Sequence, residues 1–259
     1  MSKVELNFRN PVMNAAGTLG FSPNPKGKFD ISGFGAFVTN PISLTPRKPA
    51  VGQRVLSFPG GILVHTGYPN PGLSSIIRKH GRRWSNSPIP VVVHLLAQEV
   101  YSLKRMVQRL EGLEGVMGVE VGLPPQADSD LVIKMIQAVI GELAVILRIP
   151  FEDIYSGIRN SSRLDTIRTL GIDAISMAPA RGCLLDDNNN LVAGRLYGPS
   201  QFPQSLSAVE CLMEMGVPVI ASGGIYNRRD IQVLLDLGVA AVQLDSVIWR
   251  PGFSLSTMI

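Results

Sequence analysis

Cysteine is scarce. Only Cys183 and Cys211 stand among 259 residues, too few for a disulfide framework and at no spacing that holds a metal. Charge is sparse as well, at 17% of the chain, and the net charge is only +4. The basic run Arg78-Lys79-His80-Gly81-Arg82-Arg83 reads as solvated surface, at the end of a basic helix that opens at the turn Asn70-Pro71-Gly72-Leu73 and stops near His80-Gly81. With no aromatic interleaving and no binding motif, nucleic acid is not an expected partner. Apolar runs stop short of the ~18 residues needed to span a bilayer, so no membrane segment is expected. The N-terminus is polar without an apolar signal core, and a cytoplasmic protein is the plain reading. No Gly-x-Gly-x-x-Gly follows the first strand-like run, which argues against a dinucleotide fold.

What is abundant is apolar sequence, 45% of the chain, enough for a large core. Val4 to Phe8 alternates apolar and polar, and predicts a short strand or hairpin covering the bottom of the domain. Short strand-like runs then recur at Val12–Gly17, Gly35–Asn40, Pro90–Leu95, Gly118–Gly122, Ala144–Arg148, Ala174–Ala178, Pro218–Ser222 and Gly238–Asp245. Helical segments separate most of them, at Val100–Leu110, Leu131–Ile140, Ile154–Leu170 and Ser205–Met215. Such alternation implies a parallel sheet covered on both faces. About eight strands at this length predict a single (β/α)₈ TIM barrel over residues 1–259. Pro41 to Pro88 reads as a long irregular insertion after the second strand, and such loops are commonly functional. Another long loop follows the sixth strand and contains Asp186-Asp187-Asn188-Asn189-Asn190.

In a barrel of this kind, polar residues at strand C-terminal ends face the active site. In order these are Asn14, Asn40, His94, Glu120, Arg148, Ser176, Ser222 and Asp245. Arg148 is either an anion ligand at the mouth or one end of a buried pair with Glu120. His94 is a candidate base near neutral pH, or a hydrogen-bonded packing residue. Cys183 is a loop nucleophile or an unreactive thiol. Gly223-Gly224 closes the seventh strand, where glycine backbone is either a tight turn or the phosphate cradle that barrels build after their last two strands.

Asn10-Pro11-Val12-Met13-Asn14-Ala15-Ala16-Gly17-Thr18, Thr45-Pro46-Arg47, Pro59-Gly60-Gly61, Gly194 to Pro199 and Ser222-Gly223-Gly224-Ile225 together resemble dihydroorotate dehydrogenase, the soluble class 1 form most closely. The similarity runs over nearly the whole chain in the same order. It implies an FMN-containing barrel that oxidises dihydroorotate in pyrimidine synthesis, and a homodimer. By resemblance, Ala15, Ala16 and Gly17 lie near the flavin, with Asn40 and Arg148 beside its ring. Gly198, Gly223, Gly224 and Ser246 would line its phosphate site.

The site also departs from the family pattern. Asn40 and Arg148 stand at lysine positions. Val64, His94, Gly122 and Pro179 stand where asparagines hold the orotate ring, and sites built for such bonds lose much binding without them. The loop Leu96-Ala97-Gln98-Glu99-Val100 carries neither the family's cysteine nor its serine, leaving Glu99, with Cys183 and His94, as candidate catalytic groups. Asp245 replaces a glycine next to the phosphate, tolerable where its side chain turns away or meets a cation such as Arg250. The departures imply weak activity on dihydroorotate. They leave two alternatives: a flavin-free paralogue serving as a binding or scaffold subunit, and a barrel enzyme with another small anionic substrate.

Overall fold

A computed structural model describes residues 3, 5–24, 30–96, 99–158, 167 and 169–259, the side chains of 155–158 aside. The β-branched runs form strands because both faces of each are buried by packing, which favours stiff apolar side chains. In chain order the elements are β1 (Val12–Asn14), β2 (Phe37–Val38), β3 (Val55–Phe58), β4 (Gly61–Val64), α1 (Leu73–Ser85), β5 (Val91–Leu95) and α2 (Val100–Gln108). There follow β6 (Val116–Gly122), α3 (Ser129–Val139), β7 (Ala144–Ile149), α4 (Phe151–Ile158), β8 (Ala174–Met177), β9 (Arg181–Leu185) and β10 (Leu191–Tyr197). The chain then forms α5 (Phe202–Met213), β11 (Val219–Ser222), α6 (Arg228–Asp236) and β12 (Ala241–Leu244).

Eight of these strands make one parallel sheet in the order β1-β12-β11-β8-β7-β6-β5-β2. Its ends, β1 and β2, meet through the buried side chain of Asn14, which donates to the Val38 carbonyl at 2.7 Å and accepts from the Val38 N–H at 2.9 Å. One amide side chain thus supplies both bonds of a missing ladder rung and seals the barrel. The (β/α)₈ expectation holds, and each of the eight strand-like runs is a barrel strand.

Three expectations need correction. The described residues from 5 to 8 form coil rather than a strand, although Leu6 and Phe8 do pack under the barrel's inner apolar layer. The expected basic helix is α1, but it runs past Gly81 to Ser85, and His80 is buried rather than solvated, bonding Ser22 Oγ at 2.9 Å. Third, the insertion and the loop after the sixth barrel strand are not irregular. Each folds into a hairpin, and together they form an antiparallel cap sheet in the order β3-β4-β10-β9. Glycine lets the two hairpins touch: a Cβ on Gly61 would lie 2.1 Å from the Tyr197 carbonyl oxygen. The expected helix from Ile154 to Leu170 begins earlier, at Phe151, and residues 159–166 and 168 lie outside the described ones.

Inside the barrel, side chains alternate with period two along each strand. Val92, Ile146, Ala174, Ile220 and Ala241 belong to an apolar inner layer. Two residues further along the same strands stand His94, Arg148, Ser176, Ser222 and Gln243, all buried. Strand alternation therefore places a polar layer directly above the apolar one, towards the C-terminal mouth.

Candidate functional site

Glu120, on β6, is the centre of that polar layer and is 0% exposed. Its Oε2 accepts from His94 Nδ1 at 2.6 Å and from Arg148 Nη1 at 3.1 Å. Its Oε1 accepts from Ser176 Oγ at 2.7 Å and from Gln243 Nε2 at 2.7 Å. Four donors from four strands converge on one carboxylate, which is what a fully buried charge requires. Burial alone would raise the Glu120 pKa. The Arg148 charge and the bonds from His94 and Ser176 overcome this and hold it well below the usual carboxylate range. Arg148, opposed by burial but facing Glu120, is held above its ordinary value. Arg148 is thus one end of a buried ion pair and also part of a cavity wall.

An ionised Glu120 can only accept, so the hydrogen-bond network assigns the His94 proton to Nδ1. Burial pushes the His94 pKa below its ordinary value despite the pull of Glu120. The ring is neutral at pH 7, and Nε2 carries a free lone pair. His94 borders a cavity, and its Nε2 lies beside Gly122, where a Cβ would make ordinary contact at 3.5 Å.

Above it lies a cavity of about 500 Å³ bordered by His94, Arg148, Gly122 and Tyr68. Four arginines, Arg47, Arg148, Arg181 and Arg195, line it against two glutamates, Glu99 and Glu152, both exposed. Arg181 and Arg195 are direct cross-strand partners on β9 and β10. Like charges placed so are destabilising, unless an anion lies between or beside them. The Arg195 guanidinium also stacks on the Tyr68 ring, 3.6 Å from its centroid, with Tyr68 held at φ 53, a conformation uncommon for bulky residues and frequent at ligand sites.

Tyr68 and Arg195 are shared with a second cavity of about 480 Å³, whose walls include Gly17, Asn40, Val55, Ile62, Val64, Tyr197 and Trp249. This space is mainly apolar. Asn40 at its edge is committed, since its Oδ1 accepts from the Gly20 N–H at 3.0 Å.

Of the residues implied for an FMN phosphate, Gly223, Gly224 and Ser246 come together, whereas Gly198 packs on Gly60. Gly223 and Gly224 have φ 103 and 73, and Tyr226 bonds Ser246 Oγ at 2.9 Å. Part of this cradle already serves a group of the chain itself. The Asp245 carboxyl, 3% exposed, accepts from the Ser246 N–H and hydroxyl; burial raises its pKa, and the bonds from Ser246 and the Gly224 N–H, with the Arg148 charge, oppose that rise. It turns inward onto the cradle rather than away, and Arg250 stacks towards Tyr226 at 5.6 Å instead of pairing with it. A phosphate at about 4 Å from this carboxylate would be repelled by ~1 to 4 kcal/mol. The phosphate-site residues therefore do not fit a phosphate-anchored flavin.

The other expected site residues are dispersed. Ala15 and Ala16 are buried beneath the mouth and border neither cavity, whereas Gly17 borders the second. Glu99 precedes α2 on the rim of the first cavity. Cys183 is exposed on β9 and borders neither cavity. Gly198 packs on Gly60 at the edge of the cap sheet. Among residues not singled out from sequence as site groups, Arg47, Arg181, Arg195, Tyr68 and Gln243 join the site. The Gln243 Oε1 is buried without a hydrogen-bond partner. The clearest missed signal was the Asp186–Asn190 turn between two alternating runs, a hairpin signature that sets Arg181 opposite Arg195.

These pKa directions set a pH window. A His94 pKa lowered in the folded state means that the unfolded chain binds more protons just below the unfolded value of about 6.5. Stability is then fully present above that value and is lost as pH falls through it. His80, lowered by burial and by Arg83 and Lys79, acts in the same direction. Glu120 adds a second loss below about 4.3. Thermal melts should show a falling Tm from pH 7.5 to pH 5, and His94→Gln should flatten part of that slope.

Comparison with known proteins agrees with the architecture. The family model described as "Dihydroorotate dehydrogenase" matches residues 2–259. A protein of Desulforudis audaxviator named "Dihydroorotate dehydrogenase B (NAD(+)), catalytic subunit" is 27% identical, covering 95% of this chain and 86% of that protein. A relative of the same name from Citrifermentans bemidjiense is 28% identical over 92% of this chain and 83% of its own length. Among the described residues, no helix is long and apolar enough to cross a membrane. A family match from residue 2 to 259, on a barrel whose strands carry the motifs in the family's order, shows that the chain belongs to the dihydroorotate dehydrogenase family of oxidoreductases.

Proposed function

We propose that this chain binds a small anionic substrate, a carboxylate-bearing ring of the dihydroorotate kind, in the arginine-lined cavity and removes a proton from it with His94. The observation that carries this reading is the Glu120–His94 pair, which leaves a neutral Nε2 at the floor of a cavity walled by four arginines. Arginine forks pair with carboxylates in two parallel bonds and so fix an acid's orientation. Arg148 and Arg195 would hold the anion, Glu120 would keep the His94 tautomer, and Nε2 would take the proton. A pure scaffold role is disfavoured, because the pocket is open and polar rather than collapsed.

The family match supports a second reading: an FMN oxidoreductase with weak activity on dihydroorotate, acting in pyrimidine synthesis in the cytoplasm. The space beside Gly17 and Asn40 favours it, and the filled phosphate cradle counts against it. FMN would supply hydride acceptance in that case. A homodimer belongs to this reading as well.

Calorimetric titration with malonate and with inorganic phosphate, in low-chloride buffer, tests the first reading. Binding should weaken at least about tenfold in Arg181→Ala/Arg195→Ala, as expected for lost charge-assisted pairs, and should fall with added salt. Equal binding by the double variant would contradict it.

A further inference from the structure

We propose that Asp245 is a built-in anion which occupies the barrel's phosphate cradle and excludes phosphate-anchored cofactors from it. The cradle itself is complete. Gly223 and Gly224 follow β11, the 3₁₀ turn Ser246–Trp249 follows β12, and the two strands are direct neighbours in the sheet. This is the position where barrels gather backbone N–H groups on a phosphate.

What differs is the acceptor. The chain supplies its own carboxylate from the residue between β12 and the turn, and three donors from Gly224 and Ser246 close on it. Asp245 is buried, so the arrangement is not a solvated side chain swinging freely. The walls are tight as well. A Cβ at Gly223 would lie 2.4 Å from Ser205 Oγ, and one at Gly224 would lie 2.3 Å from the Phe202 backbone nitrogen. The Asp245 carboxyl already stands on the cradle's donors. A tethered carboxylate competes at a high effective concentration, which a diffusing phosphate must overcome.

The same geometry predicts that the exclusion is reversible by one substitution. Without the carboxylate, the Ser246 hydroxyl and the two N–H groups face an empty space of anion size. This proposal does not depend on the proton-transfer reading, because none of Gly223, Gly224, Asp245 and Ser246 lines the arginine cavity, although the Arg148 charge reaches Asp245.

The test is a titration of the full-length protein with FMN, followed by quenching of flavin fluorescence, with riboflavin as the phosphate-free control. Wild type should leave FMN unquenched and should purify colourless. Asp245→Ala and Asp245→Gly should bind FMN at least tenfold more tightly than wild type, with no matching gain for riboflavin. Adding Ser246→Ala should remove most of the gain. Wild type that binds FMN stoichiometrically would overturn the proposal, whether or not the variants fold. So would a folded Asp245→Ala or Asp245→Gly protein, judged by circular dichroism, that shows no gain over wild type.

Discussion

Glu120→Ala should destabilise the protein by about 3 to 5 kcal/mol, the loss expected when one partner of a buried ion pair is removed. For a chain of this size that lowers Tm on the order of 10 °C. The cause is not only the lost attraction to Arg148. His94, Ser176 and Gln243 all aim donors at the same carboxylate, and each would be left buried without its acceptor. Glu120→Gln should rescue little, because its amide turns a donor towards groups that are already donors. Glu120→Leu/Arg148→Met should recover only the part due to the stranded Arg148 charge, because His94, Ser176 and Gln243 still lack their acceptor. Urea melts of the single and double variants measure this directly. A Glu120→Ala loss below about 1 kcal/mol, the scale of an exposed pair, would contradict the ion-pair account.

The second large effect falls on chemistry. His94→Gln should slow proton abstraction by about 10² to 10⁴-fold, the usual contribution of a positioned general base. Incorporation of solvent deuterium next to the ring carbonyl of dihydroorotate, followed by proton NMR, reads this step without any hydride acceptor. The pH dependence has a defined sign. A base must be neutral to act, and the His94 pKa lies below its ordinary value. The exchange rate should therefore be level at pH 7 and above and should decline only below about 6.5. Arg195→Ala should instead weaken binding with a smaller effect on the maximal rate.

The barrel was legible in the sequence because strands buried on both faces must be short and apolar, and helices between them must be amphipathic. Val91 to Leu95 and Ala144 to Ile149 announce themselves on composition alone. The polar layer was partly legible. Glu120 and Arg148 sit at strand ends where barrel chemistry gathers, yet their pairing with His94, Ser176 and Gln243 depends on the register of four neighbouring strands. Gln243 was hidden because it reads as one polar residue inside an apolar run. The arginine wall was less accessible still. Arg181 and Arg195 meet across the β9–β10 hairpin, and Arg47, held by its bridge to Asn70 in the earlier insertion, joins them on the cavity wall only in the folded chain. Asp245 was noticed as a misplaced charge. Its capture of the adjoining Ser246 is a local side-chain-to-backbone bond, but the third donor, Gly224, belongs to a different strand end.

Proton abstraction by His94 requires a neutral imidazole whose Nδ1 proton is held by Glu120 and whose Nε2 is available to the substrate. Nitrogen NMR of protein labelled with ¹⁵N-histidine tests it most directly. The chain has only three histidines, and His94→Gln identifies the signal. At pH 7 the His94 ring should be the neutral Nδ1–H tautomer, remain neutral as the pH is lowered through 6.5, and shift at Nε2 when malonate is added. An imidazolium at pH 7, or a proton on Nε2, would contradict the account.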